Sequence, residues 1–160
     1  VLPAKLNNIP VRLLNTMQPE APGTLIYDHS SDGQIKAIAA KENITAIKIK
    51  SGRMLLAYGF LRKVFEIFES YQTSIDMVTT SEVGVSLTID NTKDMVIICV
   101  VGDLEWNNVG FEPEAVQAMK DIPVRMISYG GSNYNISFLV RREDKVKALR
   151  SLSHYLFENK

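Results

Sequence analysis

The chain has 160 residues, of which 46% are hydrophobic and 22% charged, a composition typical of a globular protein with one or two small domains. Its 18 Lys and Arg residues balance 18 Asp and Glu residues, which excludes a strongly basic nucleic-acid binder and an acidic disordered tail. The longest apolar run, residues 95–101, is far shorter than the ~20 residues of a membrane span. We therefore expect a small molecule or another protein as partner, with no nucleic acid and no membrane.

A single cysteine, Cys99, can form no internal disulfide, and this predicts a reducing, cytoplasmic setting. The first residue is Val rather than Met, so we expect a piece of a longer protein. Residues 1–43 are rich in proline and turn formers, a texture that indicates the edge of a domain, with short strands predicted at residues 9–14 and 23–27.

From Ile44 onward the spacing of apolar residues becomes more regular. Residues 44–50 alternate as in a strand, and apolar residues then recur at helical spacing through residues 59–71. Two β-rich runs follow, at residues 74–79 and 84–89, joined by a polar turn. This order predicts a strand, a helix and a hairpin.

The same order recurs in the second half of the chain. Residues 94–101 predict a strand, Gly110 opens a helix, and residues 123–129 and 135–140 form a second hairpin. A final helix is predicted at residues 143–158. Two copies of one unit are therefore present in an α+β chain.

Each copy has the beginning of the βαββαβ plan of a ferredoxin-like sandwich. Only four residues separate the first copy from the next strand, because Ile89 is followed by Asp-Asn-Thr-Lys and then Asp94. Since a half-sandwich would leave one sheet face uncovered, either the two units are interleaved or residues are missing between about 89 and 94.

Six segments of the chain resemble one known family. Four are Ser-Gly-Arg-Met-Leu-Leu-Ala-Tyr-Gly-Phe-Leu at residues 51–61, Ser-Ile-Asp-Met-Val-Thr-Thr-Ser-Glu-Val at 74–83, Val-Arg-Met-Ile-Ser-Tyr-Gly at 124–130 and Asn-Ile-Ser-Phe-Leu-Val at 135–140. The other two are Ile-Pro-Val-Arg-Leu at 9–13 and Gly-Thr-Leu-Ile at 23–26. This pattern resembles the tandem ACT regulatory region of aspartate kinase, closest to the monofunctional, lysine-sensitive class. The resemblance implies the end of a kinase domain and a linker at 1–42, a first ACT unit at 43–92, and a second ACT unit with a C-terminal helix at 93–160.

The resemblance also implies a function. The parent enzyme would transfer phosphate from ATP to L-aspartate, giving 4-phospho-L-aspartate, and would form a homodimer through its ACT units. This part would bind L-lysine for feedback inhibition. Its catalytic site, with ATP and Mg, would belong to the missing kinase domain, so we expect no catalytic residue, metal or cofactor here. The positions that match the lysine site of the family are Met54, Gly59, Phe60, Leu61, Ser74, Ile75 and Asp76, with Glu82 nearby.

Two of these residues have a chemistry that suits a zwitterion. Gly59 lies where a loop becomes a helix, so a carboxylate can approach the free amide groups of Phe60 and Leu61. Asp76 interrupts an apolar strand and needs a cationic partner, which a ligand ammonium would provide. The alternative for Asp76 is a solvated acid, or an ion pair with Arg53, Arg62 or Lys63.

In the second copy Arg125 takes the place of Asp76, and this charge reversal predicts one effector site per chain. Leu56 and Ala57 stand where the family often has polar residues, which leaves open a dimerisation module without a ligand. Threonine or methionine as the effector also stays open. A free-standing ferredoxin-like enzyme or RNA binder is disfavoured, since the sequence has neither catalytic spacing nor a basic surface.

Overall fold

The computed structural model describes residues 2–27, 35–52, 58–91, 94–104 and 111–158. The chain divides into two compact units, Val1–Asp32 and Gly33–Lys160. Among the described residues no helix is long and apolar enough to cross a membrane.

The unit Val1–Asp32 contains helix α1 (Leu2–Leu6) and an antiparallel hairpin of β1 (Val11–Leu13) and β2 (Thr24–Ile26). The two strands predicted here are confirmed, each shorter than its prediction. Gly23 precedes β2 at a φ of +65°, and an added Cβ would lie 2.3 Å from the carbonyl oxygen of Leu13. Glycine is therefore required for this close approach of the two strands.

The unit Gly33–Lys160 is a six-stranded sheet with helices. Its elements are β3 (Ile35–Lys50), α2 (Phe60–Ser70), β4 (Ile75–Ser81), β5 (Gly84–Asp90), β6 (Met95–Gly102), α3 (Phe111–Ala118), β7 (Val124–Ser128), β8 (Asn135–Arg141) and α4 (Lys145–Ser153). A 3-10 turn at Arg142–Asp144 precedes α4 and a π-helical segment at His154–Glu158 follows it. The strand order is β4-β5-β3-β6-β8-β7, and neighbouring strands are antiparallel throughout. The predicted α+β class, both hairpins and the helices are confirmed; Gly110 lies outside the described residues.

We call residues 44–90 the first repeat and residues 95–158 the second. Strand β3 serves both of them: Thr45–Lys50 pair with β5, whereas Ile35–Ile44 pair with β6. Asn43, at a φ of +61°, lies in the register shift between these halves. The strand predicted at 44–50 is thus only the second half of β3, and residues 35–42, predicted as linker, lie in its first half. The copies share an element, as interleaved units must.

The two repeats bury cores of very different size. Helices α3 and α4 pack on the second repeat's strands around Phe138, Ile98 and Leu152, each fully buried. Helix α2 covers the first repeat through the buried Val64 and the half-buried Phe60 and Phe68, above Val85 and Leu87. Since each buried large side chain contributes roughly 1.5–3 kcal/mol, the second repeat carries most of the stability of this unit.

A third cluster joins the two repeats on the inside of the sheet. Met77 of β4 and Met126 of β7 pack in one cluster with Leu139, although β4 and β7 are the two outermost strands. The sheet is therefore curled until its edges meet. Methionine suits this contact because its unbranched side chain fills irregular space.

Candidate functional site

The start of α2 provides a place for an anion. Gly59 precedes the helix at a φ of +77°, and no side chain of the described residues caps the helix start. Among those residues, a Cβ at Gly59 would meet only the guanidinium Nε of Arg62, at 3.9 Å, so none of them blocks the approach. The first amide groups of an α-helix lack partners within it and attract negative charge. Phe60 is half-buried against the first repeat's core, and Leu61 is 38% exposed.

The start of β4 holds the second predicted group. Ser74 is exposed, Ile75 packs against the first repeat's core, and Asp76 follows within a register shift. At this shift the Met77 amide donates a hydrogen bond of 2.9 Å to the buried hydroxyl of Thr88. A bulge of this kind turns a side chain out of the regular alternation, and here it directs the Asp76 carboxylate.

Asp76 is paired within the chain. The ammonium of Lys41, on β3, lies 2.6 Å from an Asp76 carboxylate oxygen and 2.7 Å from one of Asp90, at the end of β5. Hydrogen bonds to Asp76 first and Asp90 second hold the pKa of Lys41 above its ordinary value. The cation required beside Asp76 is thus a lysine ammonium, and Arg62, named above as a partner, pairs with Glu66 instead.

The remaining predicted residues lie elsewhere. Glu82 is in the exposed turn between β4 and β5, next to Val83, whose carbonyl accepts a hydrogen bond from Ser51. Strand β4 separates Glu82 from Asp76 by about 20 Å, at ~3.3 Å per residue. Met54, Leu56 and Ala57 lie outside the described residues.

The predicted site therefore falls into two groups. Gly59, Phe60 and Leu61 lie at the start of α2, whereas Ser74, Ile75 and Asp76 follow its end. An 11-residue helix is about 16 Å long at 1.5 Å per residue. One free amino acid is too short to touch both groups in a single chain.

Sequence reasoning missed two residues of the charged cluster, Lys41 and Asp90. The role of Lys41 could not be predicted, because the pattern of residues 35–43 indicates a domain edge rather than a strand. Asp90 carried a usable signal, since it corresponds to Arg141 when the hairpins are superposed by their strand pairing. The same superposition relates Asp76 to Arg125, so both acids of the first repeat become arginines in the second.

A second ion cluster lies beside the first. Glu42, next to Lys41, pairs with Arg142 at 3.0 Å and with the Lys145 ammonium. Hydrogen bonds from Lys145 first and Arg142 second lower the pKa of Glu42. Two neighbouring residues of β3 thus pair with different repeats: Lys41 with acids of the first and Glu42 with bases of the second. Within the described ranges no cluster of three or more His, Cys, Asp or Glu side chains could hold a metal.

Comparison with known proteins gives consistent results. A family model for the ACT domain matches residues 98–156. Chloroplastic aspartokinase 3 of Arabidopsis thaliana is 35% identical over 187 aligned residues, which take in 98% of this chain and 34% of that protein. The chain thus spans about a third of the length of this relative. Because the alignment is longer than the chain, the relative has residues with no counterpart here.

Two solved structures bear on the site. The C-terminal regulatory domain of aspartate kinase from Porphyromonas gingivalis W83 is 56% identical, with a TM-score of 0.67 over 76% of this chain and 96% of that one. Escherichia coli aspartokinase III, in complex with lysine and aspartate in its T-state, is 30% identical, with a TM-score of 0.82 over 98% of this chain and 41% of that one.

The fold and these matches define an α+β regulatory protein that contains an ACT domain. More specifically, the chain belongs to the family of C-terminal regulatory domains of aspartate kinase. The resemblance found in the sequence is confirmed at this level.

Proposed function

We propose that this chain is the part of an aspartate kinase that binds L-lysine and transmits feedback inhibition. The parent enzyme would phosphorylate L-aspartate with ATP, at a site outside this chain, with Mg bound there. The observation that carries the proposal is the position of the Asp76 carboxylate. The bulge of β4 directs it to the Lys41 ammonium, which also contacts Asp90, so this carboxylate can bind an ammonium group. The lysine-bound E. coli structure supports L-lysine as the ligand.

The two groups of the site work together in a pair of chains. A single chain separates the start of α2 from Asp76 by the length of the helix, whereas a two-fold axis can set the first group of one copy against the second group of its partner. The ligand carboxylate then binds the amides after Gly59, and an ammonium binds Asp76 of the other copy. We therefore propose a homodimer with lysine at its interface.

Lysine would compete with Lys41 for the same carboxylates. Each acid offers two oxygens, and Lys41 occupies one on Asp76 and one on Asp90. The arriving ammonium either shares the acids or displaces Lys41 into solvent, where its side chain is already 48% exposed. Inhibition follows if the inactive state of the enzyme binds lysine more tightly, typically by about 1–3 kcal/mol.

The substitution Asp76→Asn tests the assignment. It removes a counter-charge without changing the shape of the side chain, so we expect lysine binding to weaken by about 2–5 kcal/mol. Isothermal titration calorimetry on the whole chain measures this, and circular dichroism checks the fold. Asp121→Asn, at an exposed acid outside the proposed site, is the matched control. Unchanged lysine affinity in the Asp76 variant would move the pocket elsewhere.

A dimerisation module without a ligand is the second candidate, since Lys41 already satisfies Asp76. Titration with lysine, threonine and methionine separates the candidates. Heat and thermal stabilisation with lysine alone support the first, those with another amino acid change the effector, and none with any of the three supports the second.

We also propose a cytoplasmic location, where a lone thiol such as Cys99 stays reduced. The Arabidopsis relative is chloroplastic by name, and a chloroplast would keep the thiol reduced as well. Fractionation of cells that produce the full-length protein decides between the two compartments.

A further inference from the structure

A cleft of about 620 Å³ lies where the second repeat meets the second half of β3. It has the size of a small-molecule site. Its lining residues include Thr45, Asp94, Arg125 and Arg141. None of them belongs to the effector site proposed above, and all lie in one compact unit.

Two arginines dominate the charge of this cleft. Val124 pairs with Val140 across the β7–β8 hairpin, and the register shift that follows holds Arg125, so that it lines the same cleft as Arg141. Neighbouring like charges on adjacent strands repel and destabilise a hairpin. The first repeat solves the equivalent problem by placing Lys41 between its two acids.

The second repeat has no comparable solution within the described part of the chain. Arg125 forms no ion pair there, and Arg141 has a single contact of 3.1 Å with Glu143, whose side chain is 70% exposed. In addition, Thr45 lines the cleft, and its buried hydroxyl has no hydrogen-bond partner among the described residues. A buried hydroxyl without a partner costs free energy, which a ligand oxygen would recover.

We propose that this cleft is a second small-molecule site, which binds an oxyanion, a carboxylate or a monophosphate, between Arg125 and Arg141 with the Thr45 hydroxyl as a third contact. Guanidinium groups suit this role because they form paired, charge-assisted hydrogen bonds to such groups. The bound anion takes in the second repeat the part that the Lys41 ammonium takes in the first.

Asp94 limits which anions fit. Asp94 lines the cleft together with the two arginines, so the formal charges of the lining sum to about one positive unit, and the contact of Glu143 with Arg141 lowers this further. This favours a ligand with one oxyanion group over a polyphosphate, which would meet Asp94 with excess negative charge.

The test is a titration of the whole chain with inorganic phosphate, acetate and tripolyphosphate at constant ionic strength. Side-chain Nε–Hε resonances of arginine, followed by ¹⁵N NMR, report where each anion binds. We expect saturable shifts of Arg125 and Arg141 with phosphate or acetate. Whichever of phosphate and acetate binds more tightly identifies the ligand class. We expect tripolyphosphate to bind more weakly than that anion.

Variants make the test specific. Arg125→Gln and Arg141→Gln should each weaken binding about 10-fold or more, as expected for a lost charge-assisted hydrogen bond. Thr45→Val should weaken it several-fold. Arg150→Gln, an exposed arginine on α4, is the control and should change nothing. Asp76→Asn should also leave anion binding intact, so a failure of the lysine proposal is distinguishable from a failure of this one.

The proposal is overturned if no probe gives saturable shifts, or if the Arg150 variant loses as much affinity as the cleft variants. Unchanged affinity in both Arg125→Gln and Arg141→Gln would overturn it equally.

Discussion

Asp76 and Asp90 in the first repeat occupy the same places in their hairpin as Arg125 and Arg141 in the second. The backbones of the two hairpins are equivalent, since in each one a register shift follows the first pair of partnered residues. The charges are opposite, and their surroundings differ. The two acids form ion pairs with Lys41, whereas the two arginines line an open cleft. A duplicated unit can thus keep its fold while its two copies diverge in charge.

The repeats also differ in how firmly they are built. The second repeat buries α3 and α4 on its strands, whereas the first has one helix held by a small cluster. Regions with few buried contacts open more readily and are suited to conformational response. The first repeat is therefore better suited to a conformational change, and the second is the more stable part of this unit.

The largest expected effect comes from the two cores. Phe138→Ala, at a fully buried position of the second repeat, should lower the free energy of unfolding by about 3–5 kcal/mol. Leu87→Ala, in the smaller core of the first repeat, should cost about 2–3 kcal/mol, the lower end for such a truncation. Urea denaturation followed by circular dichroism measures both. Ile127→Ala, at an exposed position of β7, is the control; a greater cost for Leu87→Ala would reverse the ranking of the repeats.

A smaller effect is expected from opening the acid pair. Lys41→Met removes the internal competitor for Asp76, so lysine affinity should rise by about 3–10-fold, because the site is no longer occupied for part of the time. The fold should lose at most about 1 kcal/mol, since both ion pairs are partly exposed. Calorimetry with lysine measures the affinity. Lys48→Met, an exposed lysine on the same strand, should leave it unchanged, and weaker lysine binding in Lys41→Met would make Lys41 a partner of the ligand.

The smallest expected effect is on stability, and it comes from the ion pairs by which Glu42 of β3 contacts the second repeat. The pKa of Glu42 is lowered by Lys145 and Arg142, so its contribution to stability is present above its ordinary pKa of 4.5 and is lost as the pH falls through the lowered value. Glu42→Gln should therefore be less stable than the natural chain at pH 7 and differ less from it at pH 3. Thermal unfolding across this range gives the difference, and a gap that widens in acid would contradict the assigned pairing.

Much of this molecule can be predicted from its residues. Local alternation and helical spacing depend on neighbours in the chain, so they identified both hairpins, α2 and the duplication. Glycine at position 59 and an acid in an apolar strand were also visible, as was the reversal from Asp76 to Arg125. These features reflect backbone preference and the cost of burying charge, which act over a few residues.

The rest depends on contacts between distant segments. That β3 runs from Ile35 and serves both repeats follows from its pairing with β5 and β6, which local pattern does not encode. The choice of Lys41 as the partner of Asp76, 35 residues away, was settled by the bulge and by strand order. The sequence by itself determined which charges the hairpins carry; only the tertiary structure decided which of them are neutralised, because pairing depends on distance in space.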